Sequence, residues 1–354
     1  MSTRYGVTQE HLGELLQTLN EPAYRGEQIR DALYRQRVPL EDATNLPKAL
    51  RTRLVDELPL AFSTATATTS DDGQTTRWLY ESRRDGAQVE TVLMRSPSRA
   101  SVCVSSQAGC AMACTFCATG QAGFERHLDA AEIVEQVVRA GHGCPQRVTH
   151  VVYMGMGEPL ANYDETWASV ERLHTDLGIS ARHLTISTVG VVPGMRRLAK
   201  EALPVTLAVS LHAPDDDLRS QLVPLNARYP ITEVLDAATE VAGAHGRRVS
   251  FEYACIAGVN DAPEQIDALA RLLRAWPGVG GAHVNLIPLN PTAEFPGRAT
   301  PRAHLRALAD RLRAAGVAAT IRRTRGVDID AACGQLRARH PITKDHPAST
   351  TMVP

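Results

Sequence analysis

Three cysteines share eight residues in Gly109-Cys110-Ala111-Met112-Ala113-Cys114-Thr115-Phe116-Cys117, with the spacing C-x3-C-x2-C. The chain carries seven cysteines in 354 residues, an odd and sparse set unlike the dense even framework of a small secreted domain. Thiols clustered in this way bind metal or do redox chemistry. Cubane iron–sulfur clusters normally take four thiolates, so three local ones leave one iron open. An open iron can take the amino and carboxylate groups of S-adenosylmethionine and pass one electron to its sulfonium. That yields a 5′-deoxyadenosyl radical whose surroundings the protein controls. The competing reading is a tetrahedral structural zinc with Cys103 as fourth ligand, although zinc sites usually show two tight C-x2-C knuckles.

The elements that must position this triplet follow from periodicity. Helical patterns over Gln9–Leu19, Tyr24–Tyr34 and Pro47–Leu58 predict a helical module over residues 1–60. Runs at Phe62–Thr68, Thr75–Glu81 and Gln88–Met94, split by Asp72-Gly73 and Asp85-Gly86, predict a β-hairpin segment over 61–95. From 96 to 338, strand-like runs alternate with helical ones. The strands are Val148–Met154, His183–Ser187, Val205–Ser210, Val249–Ala254 and His283–Ile287; the helices are Ala130–Ala140, Tyr163–Leu173, Gly194–Leu203, Thr232–Ala242, Pro263–Leu273 and Pro301–Ala314. This predicts an α/β fold, a partial or complete (β/α) barrel. Gly157-Glu158, Ser187, Ser210-Leu211-His212 and Asn290 each end or follow a predicted strand, where a barrel gathers its functional groups. The polar tail over 339–354 is expected to be mobile.

Composition narrows the class. The formal charge is −1 from 38 basic and 39 acidic residues, so any nucleic-acid surface must be local. No run approaches the about 18 apolar residues of a spanning helix, and Met1-Ser2-Thr3-Arg4-Tyr5-Gly6 lacks a secretory apolar core, so a cytoplasmic protein without membrane contact is expected. Between Arg298 and Gly326 lie eight arginines and one acidic residue, Asp310, a candidate phosphate-facing patch or else a solvated helix face. The N-terminal module adds Arg25, Arg30, Arg35, Arg37, Lys48, Arg51 and Arg53, partly offset by Glu27, Asp31, Glu41 and Asp42.

The triplet, with an aromatic residue before its last cysteine and a βα series behind it, resembles the radical S-adenosylmethionine superfamily. The segments Cys103-Val104-Ser105-Ser106-Gln107-Ala108-Gly109-Cys110, Met154-Gly155-Met156-Gly157-Glu158-Pro159, Ser210-Leu211-His212-Ala213-Pro214 and Ala332-Cys333-Gly334-Gln335-Leu336 narrow it further. They are similar to the family of dual-specificity adenine carbon-2 methyltransferases of rRNA and tRNA. Pro22-Ala23-Tyr24-Arg25 and Asn45-Leu46-Pro47-Lys48-Ala49-Leu50 extend the likeness to the N-terminus.

That resemblance implies the site. Cys110, Cys114 and Cys117 would hold one 4Fe-4S cluster whose fourth position is exchangeable with S-adenosylmethionine, two of which are used per turnover. Cys333 would be the methyl carrier, Cys103 the resolving cysteine that leaves a transient disulfide, and Glu90 the acceptor of the carbon-2 proton. Gly157, Glu158, Ser187, Ser210, Leu211, His212 and Asn290 would contact S-adenosylmethionine. Taken alone, Cys333 and Cys103 read as buried packing residues, Glu90 as a solvated strand residue and His212 as a structural histidine. Cys144 and Cys255 match no motif and are read as packing residues. Implied partners are 23S rRNA at the peptidyl transferase centre and tRNA at the adenosine next to the anticodon. A reducing partner such as flavodoxin or ferredoxin with its reductase is also implied, and the protein is expected to act as a monomer.

The target adenine must leave its stack, so looped RNA is the expected substrate. Two alternatives stay open: the sister enzyme that methylates carbon-8 of the same rRNA adenine and confers antibiotic resistance, and a non-catalytic RNA-binding protein with a structural metal site.

Overall fold

The computed structural model describes residues 3–290, 292, 294–322, 326 and 329–336. The strands are β1 (Phe62–Thr69), β2 (Thr75–Ser82), β3 (Gln88–Ser96), β4 (Arg99–Cys103), β5 (Gln107–Gly109), β6 (Phe124–His127), β7 (Val148–Tyr153), β8 (Leu184–Thr188), β9 (Thr206–Ser210), β10 (Ser250–Cys255), β11 (His283–Pro288) and β12 (Ala318–Ile321). The α-helices are α1 (Gln9–Thr18), α2 (Arg25–Arg30), α3 (Lys48–Glu57), α4 (Ala118–Ala122), α5 (Ala130–Gly141), α6 (Tyr163–Thr175), α7 (Val192–Leu198), α8 (Asp216–Leu222), α9 (Ile231–His245), α10 (Pro263–Arg274) and α11 (Arg302–Ala314).

One sheet runs in the order β1-β2-β3-β4-β7-β8-β9-β10-β11-β12. From β1 to β4 neighbours are antiparallel, joined at short turns; from β4 to β12 they are parallel, joined through helices. The parallel run is a partial barrel, because β1 and β12 are the sheet's two ends rather than neighbours. The hairpin strands continue the barrel ladder, since β3 pairs with β4 from Val92 opposite Cys103 to Ser96 opposite Arg99.

Alternation along the parallel strands sorts two faces. Val151, Ile186, Val209, Phe251 and Leu286 join the apolar core, while Ser187, Ser210, Glu252 and Ala254 line a cavity inside the curve. The N-terminal helices share that core: Leu12, Leu16, Ile29, Leu33 and Leu50 belong to the same apolar cluster as Val137 and Val170. Arg30 pairs with Asp176 beside α6 at 2.8 Å, and Arg37 donates to the Leu177 carbonyl at 3.2 Å.

Several expected elements differ in form. The Tyr24–Tyr34 helix is α2 followed by a π-helical turn over Asp31–Gln36, closed where Arg37 adopts φ 55° and donates back to the Ala32 carbonyl. The helix expected over Gly194–Leu203 runs instead from Val192 to Leu198, starting earlier with Pro193 in its first turn and ending earlier. Strands β5, β6 and β12 and helix α8 have three to seven residues each, too short to show a period.

Candidate active site

The cysteine triplet lies in the connection between β5 and β6, a ribbon that closes the loop at its base. The Cys110 amide donates to the Gly123 carbonyl at 2.7 Å. Gly109 has φ 73°, and a Cβ there would stand 2.1 Å from the Gly123 carbonyl oxygen, so only glycine fits. On its far side the loop is held to α8, whose Leu222 carbonyl accepts from the Thr115 amide at 3.1 Å. Burial pushes the Cys110 thiol up to about 12, with Cys117 and Glu158 adding to the rise. Burial drives Cys114 well above the ordinary thiol range, Cys117, Cys110 and Glu158 adding and Arg219 opposing.

Three soft donors in one loop, with Cys117 adding to the rise of both Cys110 and Cys114, suit an iron–sulfur cluster, which displaces thiol protons on binding. Among the described residues no three His, Cys, Asp or Glu side chains converge on a single ion. A cubane does not ask for that, because each thiolate binds a different iron.

Cys114 and Cys117 open onto a cavity of about 860 Å³ at the C-terminal ends of the parallel strands. Gly157, Glu158, Ser187, Ser210, His212, Asn290 and Cys333 also line it, so the structure brings together most of the residues singled out from the sequence. Gly157 has φ 98°, and a Cβ there would meet the Gln107 side chain at 2.5 Å. The buried Glu158 carboxylate accepts from the amides of Leu160 at 3.0 Å and Val189 at 2.9 Å. Burial nevertheless raises its pKa from 4.5 to about 7, those hydrogen bonds and Thr188 opposing. His212 is held at φ 62°, and its Nδ1 accepts from the Ala254 amide at 3.0 Å, which fixes the proton on Nε2. Burial, aided by Arg219, lowers its pKa to about 3, so it stays neutral.

Leu211 is placed differently. Its side chain is in the core, and its amide donates to the Glu252 carbonyl at 3.0 Å.

A second cavity of about 490 Å³ adjoins the first and shares Met154, Ile287, Asn290, Arg322 and Cys333 with it. Cys103 lines this one, so the two cysteines of the implied exchange meet there, both as free thiols. Asn290 Nδ2 donates to the Cys333 carbonyl at 2.8 Å and steadies that loop. Burial pushes Cys103 up to about 12, with Cys333 adding and Arg322 opposing. On β3, Val92 and Met94 line the same cavity, and Glu90 lies one period further along that face. Glu90 is buried, its carboxylate 3.5 Å from Arg77, which also donates to the Asp330 carbonyl at 3.4 Å.

Sequence reasoning missed Glu252 and misplaced Arg322. Arg322 was counted in the arginine-rich patch; it lines both cavities, with Glu252 at 3.9 Å and the Met154 sulfur at 3.5 Å. Cys333 raises the Arg322 pKa against the cost of burial, Glu252 and Cys103 adding. Within the same patch, Arg311 pairs with Asp267 at 2.5 Å and Arg313 with Asp310 at 2.8 Å. Arg298, Arg302 and Arg306 are exposed, while Arg323 and Arg325 lie outside the described residues, as does the tail from 339. Cys255 is buried in the core and Cys144 packs against it.

Glu158 carries a test in the ligand-free protein. Between pH 4.5 and about 7 the folded state keeps a proton that the unfolded chain gives up, so stability falls as pH rises through this window. The fall amounts to about 3 kcal/mol and levels off above it. Urea unfolding should show Glu158→Gln losing less stability than the parent between pH 5 and 8; parallel profiles would contradict the assigned ionisation.

Comparison with known proteins agrees with this geometry. Residues 104–273 match the Radical SAM superfamily. A protein of Parafrankia sp. (strain EAN1pec) named "Probable dual-specificity RNA methyltransferase RlmN" is 53% identical over 347 residues, covering 92% of this chain and 89% of the relative. One of the same name from Salinispora tropica is 51% identical over 338 residues, covering 92% and 90%. The solved structure of a radical SAM methyltransferase from Sphaerobacter thermophilus superposes with a TM-score of 0.89 at 47% identity, covering 96% of this chain and 100% of that one. The chain belongs to the radical SAM superfamily and, within it, to the RlmN family of dual-specificity RNA methyltransferases.

Proposed function

We propose that this chain methylates carbon-2 of adenine in 23S rRNA, at the peptidyl transferase centre, and in tRNA, at the adenosine beside the anticodon. The observation that carries this reading is the pair of adjoining cavities: one joins the cysteine loop and Glu158 to Cys333, the other joins Cys333 to Cys103. Adenine carbon-2 lies between two ring nitrogens and is too electron-poor to attack a methyl sulfonium, so a nucleophile of the protein must take the methyl first.

Cys110, Cys114 and Cys117 would hold the 4Fe-4S cluster, leaving one iron for S-adenosylmethionine. When bound, that pair supplies a methyl group and, from a second S-adenosylmethionine, a one-electron cleavage that gives a primary carbon radical. Glu158, desolvated among backbone donors, suits an ammonium that returns it to its charged form. Ser187, Ser210 and His212 offer hydroxyls and an Nε2–H from the strand ends, and Gly157 offers backbone, whereas both backbone groups of Leu211 are taken within the protein.

Cys333, which lines both cavities beside Arg322, accepts the methyl on its sulfur and later carries the base as a thioether. Glu90 takes the carbon-2 proton. Cys103 then attacks the Cys333 sulfur as a thiolate, forming a disulfide as the sulfur–carbon bond breaks. The electron pair of that bond is left on the methylene carbon, which takes up a proton to become the product methyl group. Reduction of the disulfide and of the cluster calls for electrons from a flavodoxin or ferredoxin with its reductase. The protein would act as a cytoplasmic monomer; no helix among the described residues is long and apolar enough to cross a membrane.

Mass spectrometry of nucleosides from treated RNA tests the function. Methyl at carbon-2 is expected; methyl at carbon-8 would favour the sister activity, and none at all would leave an RNA-binding protein. For the RNA face, Arg302 and Arg306 on α11 are exposed and enter no ion pair among the described residues, unlike Arg311 and Arg313. Arg302→Glu with Arg306→Glu should weaken RNA binding and lower its salt slope by about one per lost phosphate contact, with iron content unchanged. Binding equal to the parent's at every salt concentration would remove α11 from the interface.

A further inference from the structure

Arg219, on α8, is fully buried. Its Nε donates to the Leu211 carbonyl at 3.1 Å, and one Nη to the carbonyls of Val189 at 2.6 Å and Ser210 at 3.3 Å. The other Nη donates to Asn226 Oδ1 at 2.7 Å. All four acceptors are neutral. The other buried arginines among the described residues, Arg4 and Arg77, each face a carboxylate, at 3.2 and 3.5 Å. Arg219 loses some basicity to burial yet, at about 10, stays cationic at neutral pH; Cys114 and then Asp216 act on it in the opposite direction. A cation buried among dipoles without an anion is costly, so the fold retains it against its own stability.

The missing anion has a place. Val189 and Ser210, whose carbonyls the guanidinium holds, line the main cavity, and Cys114 packs against Leu222 and Val223 at the end of α8. The Thr115–Leu222 hydrogen bond fixes the cysteine loop to the same helix. Three thiolates on an iron–sulfur cluster carry net negative charge beside this guanidinium, and cluster reduction adds one more.

We propose that Arg219 is the counter-charge of the iron–sulfur cluster, paired only when the cluster is present and raising its reduction potential by favouring the reduced form. This rests on the reading in which Cys110, Cys114 and Cys117 hold a cluster. A cation close by in a medium of low polarity acts on each added electron with little screening. Arg219 is thus a positioning and tuning residue that need not touch substrate.

Removing the guanidinium would unclamp three loops at once, so the test alters its charge through a neighbour. Asn226→Asp sets a carboxylate at the atom now 2.7 Å from Arg219, and Asn226→Ala loses the contacts Asn226 makes to the Asp216 carbonyl and to Ser220 without adding charge. Dye-mediated equilibrium titration of the reconstituted cluster, without RNA, is expected to give Asn226→Asp a more negative midpoint potential than both the parent and Asn226→Ala. Thermal unfolding of the cluster-free proteins should show Asn226→Asp melting above Asn226→Ala, because it supplies the absent partner. Equal potentials in the two variants, or a cluster-free Asn226→Asp no more stable than Asn226→Ala, would reduce Arg219 to a carbonyl clamp and overturn the proposal. A parent protein that takes up no iron would overturn the cluster reading beneath it, an outcome told apart by iron analysis alone.

Discussion

RNA methylation by the Cys333→Ala protein is expected to fall to background, at least about a thousandfold, while iron and sulfide content stay at the parent level. The two effects separate because Cys333 lies on a loop distinct from the cysteine triplet, held by Asn290 through its carbonyl rather than its side chain. An alanine keeps that hydrogen bond and the Gly334 turn beyond it, at φ 82°. What it removes is the nucleophile, and carbon-2 of adenine cannot take a sulfonium methyl directly. The measurement is transfer of labelled methyl from S-adenosylmethionine into RNA, together with mass analysis of the protein, which in the parent should show one added methyl on Cys333. Turnover by the alanine variant would remove the carrier role.

Cys103→Ala should fail at the other end of the cycle. It keeps the carrier and the cluster, so the base becomes joined to Cys333, but nothing then attacks the carrier sulfur. About one RNA per protein is expected to remain covalently attached, resolved on a denaturing gel and lost after ribonuclease digestion. Cys103 faces Val92 across the β3–β4 ladder and shares the smaller cavity with Cys333, and no third cysteine lines that cavity among the described residues to take its place. Its raised pKa means that the attack depends on a thiolate made locally, and the Arg322 guanidinium is the group placed to favour one. Multiple turnovers by Cys103→Ala would contradict the resolving role.

The legible part of this site was the part written in short stretches. The cysteine triplet is one loop, Gly157-Glu158 one turn, and Ser187, Ser210, His212 and Asn290 each stand at a strand end that alternation reveals. Cys103 and Cys333 were brought in by likeness to a family, since a single cysteine in an apolar run looks like packing; the structure places both on one cavity. Arg322 was not legible, because one of eight arginines spread over 298–326 reads as surface. Its place at the site depends on β12, four residues pairing parallel to β11, and Ala318-Ala319-Thr320-Ile321 shows too little pattern to announce a strand. Arg219 and Glu252 were hidden for a similar reason: a buried charge is visible only once its partners across the fold are known. Leu211 is a reverse case, a neighbour of site residues whose own side chain faces the core.

Iron and acid-labile sulfide analysis, with the visible spectrum, of protein prepared without oxygen tests the cluster assignment most directly. About four irons and four sulfides per chain are expected for the parent, with Cys114→Ala losing them and the brown colour. A colourless parent protein holding one zinc and no iron would contradict it.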